Sequence, residues 1–203
     1  MRRLTPCRMT PTSVILLIAL AAAGQARSAP PDDLERQRLI AHFEMTESWL
    51  ADEVATLSPD QLKFRPSPNA WNILDCVEHL DLAEPEYWKM MRSAMAAPAT
   101  RKRTPSTDLD RMWYGIDRTE RTKTVPSETP KSAYPGIDPA LKDFRTLRAT
   151  MLTYIRTSQE DWRHHLIPNW DRDAYQWMLM ISAHSQRHIL QIREIKHDPA
   201  FPH

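Results

Sequence analysis

Apolar side chains recur at helical spacing along most of the chain after Leu34. Four segments show this pattern, and each carries charged residues on its other faces. The apolar positions are Leu39, Phe43, Leu50, Val54 and Leu57 in helix one; Ile73, Val77, Leu80, Tyr87 and Met91 in helix two; Leu141, Phe144, Leu147, Met151 and Ile155 in helix three; and Trp177, Ile181, His184, His188, Ile192 and Ile195 in helix four. The pattern predicts an all-α chain built on four long helices.

Capping residues predict where the helices begin. A polar side chain followed three residues later by an acid or amide can form a capping box, and a proline is favoured at the first helical position. The predicted starts are Ser58–Gln61 for a short extra turn after helix one, Asn72 with Asp75 for helix two, Asp138-Pro139 for helix three, and Asp173 with Gln176 for helix four.

Pro85 lies inside the predicted helix two. A proline lacks the backbone N–H and clashes with the carbonyl four residues earlier, here that of Asp81. The sequence therefore predicts that helix two is kinked or interrupted just past His79.

Residues 97–137 lack sustained periodicity and contain five prolines, with Trp113 and Tyr114 near the middle. They predict a long irregular connection between helices two and three. Such segments are often lids or binding loops across an opening. The alternative is a crossover loop whose aromatic residues only cover the helices, and the sequence leaves both open.

Composition agrees with a helical chain of one domain. The 203 residues include only three glycines but 17 prolines, which favours helices with proline-rich connections over strands with tight turns. The length suits one domain with a proper core. Its predicted extent is residues 34–197.

The first residues differ from the rest. Arg2, Arg3 and Arg8 precede an apolar stretch from Val14 to Ala23, followed by small residues. This is typical of a secretory signal peptide, predicted over residues 1–26 with cleavage as late as residue 29 as the alternative. The apolar run is too short for a membrane anchor, so no stable span is expected after cleavage. The predicted location is periplasmic or secreted.

Charge argues against a nucleic-acid partner. Residues 1–26 contain three arginines and no acid, so their removal lowers the basic residues from 27 to 24 against 26 acids. The mature chain is near neutral, and the short run Arg101-Lys102-Arg103 is expected to be a solvated loop. Cys7 leaves with the signal peptide, so Cys76 has no partner for an intrachain disulfide.

Two histidines occupy apolar positions of helix four. His184 and His188 are four residues apart, which places both imidazoles on one face at a spacing that suits two ligands of one ion. Buried imidazoles need polar partners, and a buried carboxylate would satisfy them as well as a metal would. His79, on or next to the buried face of helix two, adds a third candidate ligand and favours the metal.

Several short motifs occur in an order that resembles one family. They are Leu57–Leu62, Arg65-Pro66, Trp71-Asn72-Ile73 leading to Val77–Leu80, and Ala183–Ile192 at the end. In this order and spacing they resemble the opening and the closing helix of the DinB-like superfamily. The resemblance extends from helix one to helix four.

The resemblance implies an antiparallel four-helix bundle with His79, His184 and His188 as ligands of one divalent metal ion. Zinc or nickel is expected, and iron or manganese would also be accepted. Three protein ligands leave a position for water or substrate, which predicts a metal-dependent hydrolase or transferase that uses a metal-activated water or thiol on an unidentified small molecule. Export favours water, because the low-molecular-weight thiols used by relatives are cytosolic. The alternative is a non-catalytic metal-binding or stress-related envelope protein, and the resemblance is compatible with a homodimer.

No catalytic acid, base or nucleophile can be assigned from the sequence. The acids around His79 could orient an imidazole or act on a bound water, but charges in a first helical turn usually favour the helix dipole and face solvent. Cys76 could be a soft fourth ligand, although a small buried cysteine is usually core. Three further histidines near the ends of predicted helices three and four are expected to complement the helix dipole or to lie on the surface. The acids are Asp75, Glu78 and Asp81, and those histidines are His164, His165 and His197.

Overall fold

The structure, a computed structural model, describes residues 29–203 apart from 101–103 and 105. The predicted signal peptide and the run Arg101-Lys102-Arg103 lie outside the described residues. Within the described residues six α-helices follow one another: α1 (Asp33–Val54), α2 (Pro59–Lys63), α3 (Ile73–Ala96), α4 (Asp108–Ile116), α5 (Ile137–Thr157) and α6 (Ala174–Lys196). Apart from a 3-10 turn at Pro126–Glu128 and one isolated β-bridge, the regular structure of the described residues is α-helical. The all-α prediction is confirmed, and predicted helices one to four correspond to α1, α3, α5 and α6.

Capping boxes open α2, α3 and α6 where the sequence predicts them. In α3 the Asn72 side chain accepts from the Asp75 N–H, and the Asp75 carboxylate accepts from the Asn72 N–H. The predicted cap of helix three is wrong. Helix α5 begins at Ile137, and its N-cap is Gly136, which has no side chain to accept a hydrogen bond. Asp138 instead lies in the first turn, where its charge favours the helix dipole.

Helix α3 is continuous through Pro85, so the interruption predicted after His79 is absent. A proline removes one backbone hydrogen bond, but the remaining bonds and the packing of the buried face can hold the helix together. As a result, His79 and Tyr87 belong to the same helix.

The four long helices contact one another in a ring. Helix α1 packs on α5 and α6, and α3 also packs on α5 and α6. Two clusters of buried apolar side chains fill the space between them, one at each end of the long helices. Within the described residues, no helix has both the length and the apolar character needed to cross a membrane.

The connection between α3 and α5 is not irregular throughout, which corrects the prediction for residues 97–137. It contains α4, opened by a capping box in which Thr107 accepts from the Asp110 N–H and the Asp110 carboxylate accepts from the Thr107 N–H. Helix α4 packs extensively along α6. The close approach depends on Gly115, because a Cβ there would lie 2.8 Å from the Ala183 carbonyl oxygen and 3.0 Å from the Ala183 Cβ.

Replacing Gly115 with alanine is expected to push α4 away from α6. Overpacking of this kind costs about 1–3 kcal/mol of unfolding free energy. Because Ala183 precedes the predicted ligand His184, any metal ion that His184 helps to hold should bind more weakly in this variant. Gly136→Ala is the control for adding a methyl group without a clash, since a Cβ at Gly136 meets nothing within 4 Å; its own cost is that of an alanine at the N-cap of α5, which is less favourable there than glycine. Thermal unfolding and zinc titration of both variants check this, and a Gly115→Ala variant that unfolds at the wild-type temperature would contradict the close α4–α6 contact.

Candidate metal centre

Helices α3 and α6 bring the three predicted histidines together. The Nε2 atom of His184 lies 3.1 Å from Nε2 of His79 and 3.1 Å from Nε2 of His188. One ring nitrogen from each residue falls within 4.8 Å of the others. All three are buried, with exposed fractions of 4% for His79, 2% for His184 and 7% for His188. The inward face predicted for α6 is therefore the face that carries the cluster.

The outer nitrogens of two rings are fixed by hydrogen bonds. His79 Nδ1 lies 2.8 Å from the Glu128 carbonyl oxygen, and His188 Nδ1 lies 3.0 Å from Gln191 Oε1. Both oxygens can only accept, so each Nδ1 carries the hydrogen and each Nε2 of the neutral ring presents a lone pair. Such hydrogen bonds to the outer nitrogen are the usual way in which proteins orient a metal-binding imidazole.

Burial keeps the three imidazoles neutral. It lowers the pKa of His79, against a smaller opposing effect of the hydrogen bond to Glu128. The pKa values of His184 and His188 lie well below the ordinary histidine value, first because of burial and then because of the neighbouring imidazoles. Neutral imidazoles are the form that binds metal ions.

The donor set fits a divalent cation. His184 Nε2 faces two lone pairs and can donate to only one of them, so hydrogen bonds cannot satisfy both 3.1 Å contacts. Two nitrogens bound at the ordinary zinc distance with angles between 90° and tetrahedral are about 2.9–3.4 Å apart. The separations from His184 fall in this interval. The three histidines could therefore hold one shared divalent cation.

Comparison with known proteins identifies the family of the chain. The DinB superfamily matches residues 33–192, which include α1, α3 and α5 and all three histidines. The chain belongs to the DinB superfamily. It is similar to the uncharacterized protein YuaE of Bacillus subtilis (strain 168), with 22% identity over 155 residues, covering 74% of this chain and 91% of YuaE. No solved structure matches the chain.

In this DinB-superfamily chain, aromatic rings enclose the histidines. The Trp71 ring lies 4.9 Å from that of His79 and is nearly parallel to that of His188 at 6.0 Å, measured between centroids. The Tyr87 ring meets His184 edge-on at 5.4 Å. These contacts bury the imidazoles on their flanks and leave one side open.

The open side leads to a cleft of about 530 Å³ that all three histidines line. Tyr114 of α4 lines this cleft, whereas its neighbour Trp113 is 56% exposed and does not. The sequence assigns the same two possible roles to both residues, but the structure distinguishes them. Tyr114 lines the cleft, and Trp113 faces solvent.

No hydrogen bond joins the acids that flank His79 to the three imidazoles. Asp75 caps α3 and pairs with Arg65. Glu78 is buried and accepts from the backbone N–H groups of Lys131 and Ala133 at 2.7 and 3.0 Å, which ties the segment after the 3-10 turn to α3. Burial raises the pKa of Asp81 to about 8, and Asp81 does not line the cleft.

The other candidate residues also lie elsewhere. Cys76 is buried in an apolar cluster, where burial raises the pKa of its thiol, and it does not belong to the three-histidine group. His164 bonds to Asp161, and His165 bonds to the carbonyl oxygen of Ala94. His197 Nδ1 donates to a backbone carbonyl at the end of α6.

Two residues that hydrogen-bond the histidines were not predicted from the sequence. Gln191, which holds His188, lies three residues after it on the same helix face, so helical spacing could have identified it. Glu128, which holds His79 through its carbonyl and accepts from the Tyr87 hydroxyl at 3.2 Å, lies in a segment without periodicity. Its local sequence contains no signal for this role.

Proposed function

We propose that this DinB-superfamily protein binds one divalent metal ion through Nε2 of His79, His184 and His188. The observation that carries the proposal is the convergence of three buried, neutral imidazoles whose contacts cannot all be hydrogen bonds. Zinc or nickel is the expected ion, and iron or manganese would suit the same nitrogen ligands. Three protein ligands leave a position open, which is the arrangement of catalytic sites.

We further propose that α1, α3, α5 and α6 form an antiparallel four-helix bundle, with α4 as an addition along α6. The ring of contacts among the four long helices supports this arrangement. The signal-like residues 1–26 support export of the protein to the periplasm or the medium.

The proposed reaction is that of a hydrolase or transferase acting on a small molecule in the cleft. The bound ion would supply Lewis acidity, which activates a water or a thiol. Trp71, Tyr87 and Tyr114 line the cleft and can hold an organic substrate against the histidines. Glu128 lines it too, and the Tyr87 hydroxyl orients its carboxylate, so Glu128 is placed to exchange a proton with a bound substrate. Export favours water as the nucleophile.

A second candidate is a non-catalytic metal-binding or stress-related envelope protein. The observation in its favour is that Asp75 and Glu78, two of the acids that flank His79, both form hydrogen bonds to backbone N–H groups away from the imidazoles. A panel of ester, amide and thiol substrates separates the two functions. Metal-dependent turnover of any of them supports the enzyme, and its absence across the panel supports the second candidate.

Metal content tests the proposal directly. We expect the natively purified protein to contain close to one equivalent of a divalent metal per chain by elemental analysis. Removal by a chelator should lower the melting temperature, since a ligand at a hundred times its dissociation constant stabilises the folded state by about 2.7 kcal/mol, which corresponds to roughly 5–10 °C for a chain of this size. The proposed metal site would be refuted if the protein is purified without metal and its melting temperature does not change when zinc, nickel, iron or manganese is added.

A further inference from the structure

Cationic side chains gather in the cleft in front of the histidines. Among the described residues, the cations that line it are Arg118, Arg121, Lys123 and Arg187, and the carboxylates are those of Glu128, Glu194 and Asp198. Because the histidines are neutral, any bound divalent ion adds further positive charge. The cleft therefore presents a net positive field to a ligand.

The cations differ in how they are paired. Arg118 donates to both carboxylate oxygens of Glu194, at 2.9 and 2.8 Å, so these two charges neutralise each other. Arg121 and Lys123 form no hydrogen bond or ion pair within the part of the chain that the structure describes, and both are exposed at the cleft. The positive charge of Arg121 also attracts the Glu194 carboxylate. Both oxygens of that carboxylate, however, already accept hydrogen bonds from Arg118.

Arg187 fixes the segment that carries these cations. It extends from α6, between two of the histidines in sequence, and donates to the backbone carbonyl oxygens of Tyr114, Asp117 and Glu120. These carbonyls belong to the end of α4 and the residues just after it. Arg121 and Lys123 follow immediately and are thereby held at the cleft. Among the described residues, the hydrogen bonds of the Arg187 guanidinium go to these carbonyls, and no salt bridge joins it to a carboxylate.

We propose that the cleft selects small molecules that carry an oxyanion group, either a carboxylate or a phosphate, and that Arg121 and Lys123 bind this group. A guanidinium matches such a group with two parallel hydrogen bonds, and an ammonium adds a point charge. A cleft of about 530 Å³ lies in the ordinary size range for a small-molecule ligand. The inference rests on the proposed function, because it names the substrate class for the same cleft.

The test measures anion binding by calorimetry with the full chain, both loaded with zinc and treated with a chelator. The probes are succinate, inorganic phosphate and the neutral analogue succinamide. Arg121→Gln with Lys123→Gln removes the two unpaired cations. Arg38→Gln with Lys142→Gln is the matched control, since these exposed residues lie on α1 and α5 and do not line the cleft.

We expect the wild-type chain to bind succinate or phosphate in the millimolar range or tighter, and to bind succinamide much more weakly. The cleft variant should lose about tenfold in anion affinity in both metal states, and the control variant should change little. The preferred anion identifies the group as carboxylate or phosphate. Equal binding of succinate and succinamide, equal losses in both double variants, or no binding of either anion would overturn the inference.

The metal-free arm separates this inference from the proposed function. Anion binding that depends on Arg121 and Lys123 in a protein unable to take up metal would refute the metal site and leave the anion site standing. Stoichiometric metal uptake without anion binding would support the metal site and overturn the anion site.

Discussion

Replacing His184 with alanine is expected to abolish stoichiometric metal binding. His184 is the central member of the cluster, because its Nε2 contacts Nε2 of both His79 and His188 at 3.1 Å. Losing even an outer hydrogen-bond partner of a ligand typically costs about 10–100-fold in metal affinity, so losing the ligand should cost more than about 100-fold. Competition titration with a zinc indicator and elemental analysis measure this loss. Any metal-dependent activity should disappear in parallel.

The control must separate metal binding from packing, since His184 is also a buried side chain. His165→Ala removes a partly buried imidazole that bonds to the Ala94 carbonyl outside the cluster, and it should leave metal content unchanged. Melting temperatures of the wild-type chain and the His184 variant are then compared with and without a chelator. If metal binding is the main role of His184, most of the difference in melting temperature between the wild-type chain and the His184 variant disappears once the metal is removed. A variant that retains one equivalent of metal would rule out His184 as a ligand.

The starts of α3 and α6 could be predicted because their signals are local. Asn72 with Asp75, and Asp173 with Gln176, place a polar acceptor and a return partner within one helical turn. The start of α5 could not be predicted in this way, because Gly136 offers no side chain and the backbone alone determines the position. Asp138, which the sequence suggested as the cap, belongs to the first turn of α5.

Helix α4 was not predicted because its apolar pattern is short and its large apolar side chains face solvent. Its large apolar residues Leu109, Trp113 and Ile116 share one face, yet they are exposed by 63%, 56% and 46%. The face against α6 includes Gly115, which contributes no hydrophobic signal. In a helix of nine residues, periodicity therefore gives no indication of the buried side.

The three histidines could be predicted because two share one turn of α6 and the third lies on the buried face of α3. The residues that hydrogen-bond to these histidines differ in how far away they lie in the sequence. Gln191 lies within the same helical turn as His188, whereas Glu128 reaches His79 from 49 residues away. Contacts of the second kind depend on the path of a loop, and no local spacing encodes that path.

Arg148 is the feature that departs furthest from the helical pattern. The sequence places charged residues on outer faces, but Arg148 of α5 is fully buried, with its guanidinium 4.5 Å from the Phe43 ring and 4.8 Å from the Phe144 ring. It donates to both carboxylate oxygens of Glu84 at 2.9 Å, and Ser185 bonds to both side chains. The pair connects α5, α3 and α6 beside the histidine cluster.

Arg148→Met is expected to destabilise the protein by about 3–5 kcal/mol, because it leaves the carboxylate of Glu84 buried without its cation. The double variant Glu84→Leu with Arg148→Met should be less destabilised than the single one. Arg148 Nε and one terminal nitrogen already lack hydrogen-bond partners in the described structure, so the pair is incompletely satisfied, and apolar replacements of similar volume remove that cost. Unfolding of the wild type, both single variants and the double variant measures the coupling energy, and additive effects would contradict a direct pairing.

The pH dependence of the Arg148 variant gives an independent check. Burial raises the pKa of Glu84, while Arg148 lowers it by its charge and by hydrogen bonding. Without Arg148 the folded-state pKa should rise further above the unfolded value. The native state then binds more protons than the unfolded state between those two pKa values, so the stability of the variant is greatest below the unfolded pKa and declines as pH rises through the folded one. We therefore expect the loss relative to wild type to be larger at about pH 8 than at about pH 5. A loss that is the same at both pH values would indicate that Arg148 stabilises the helices by packing alone.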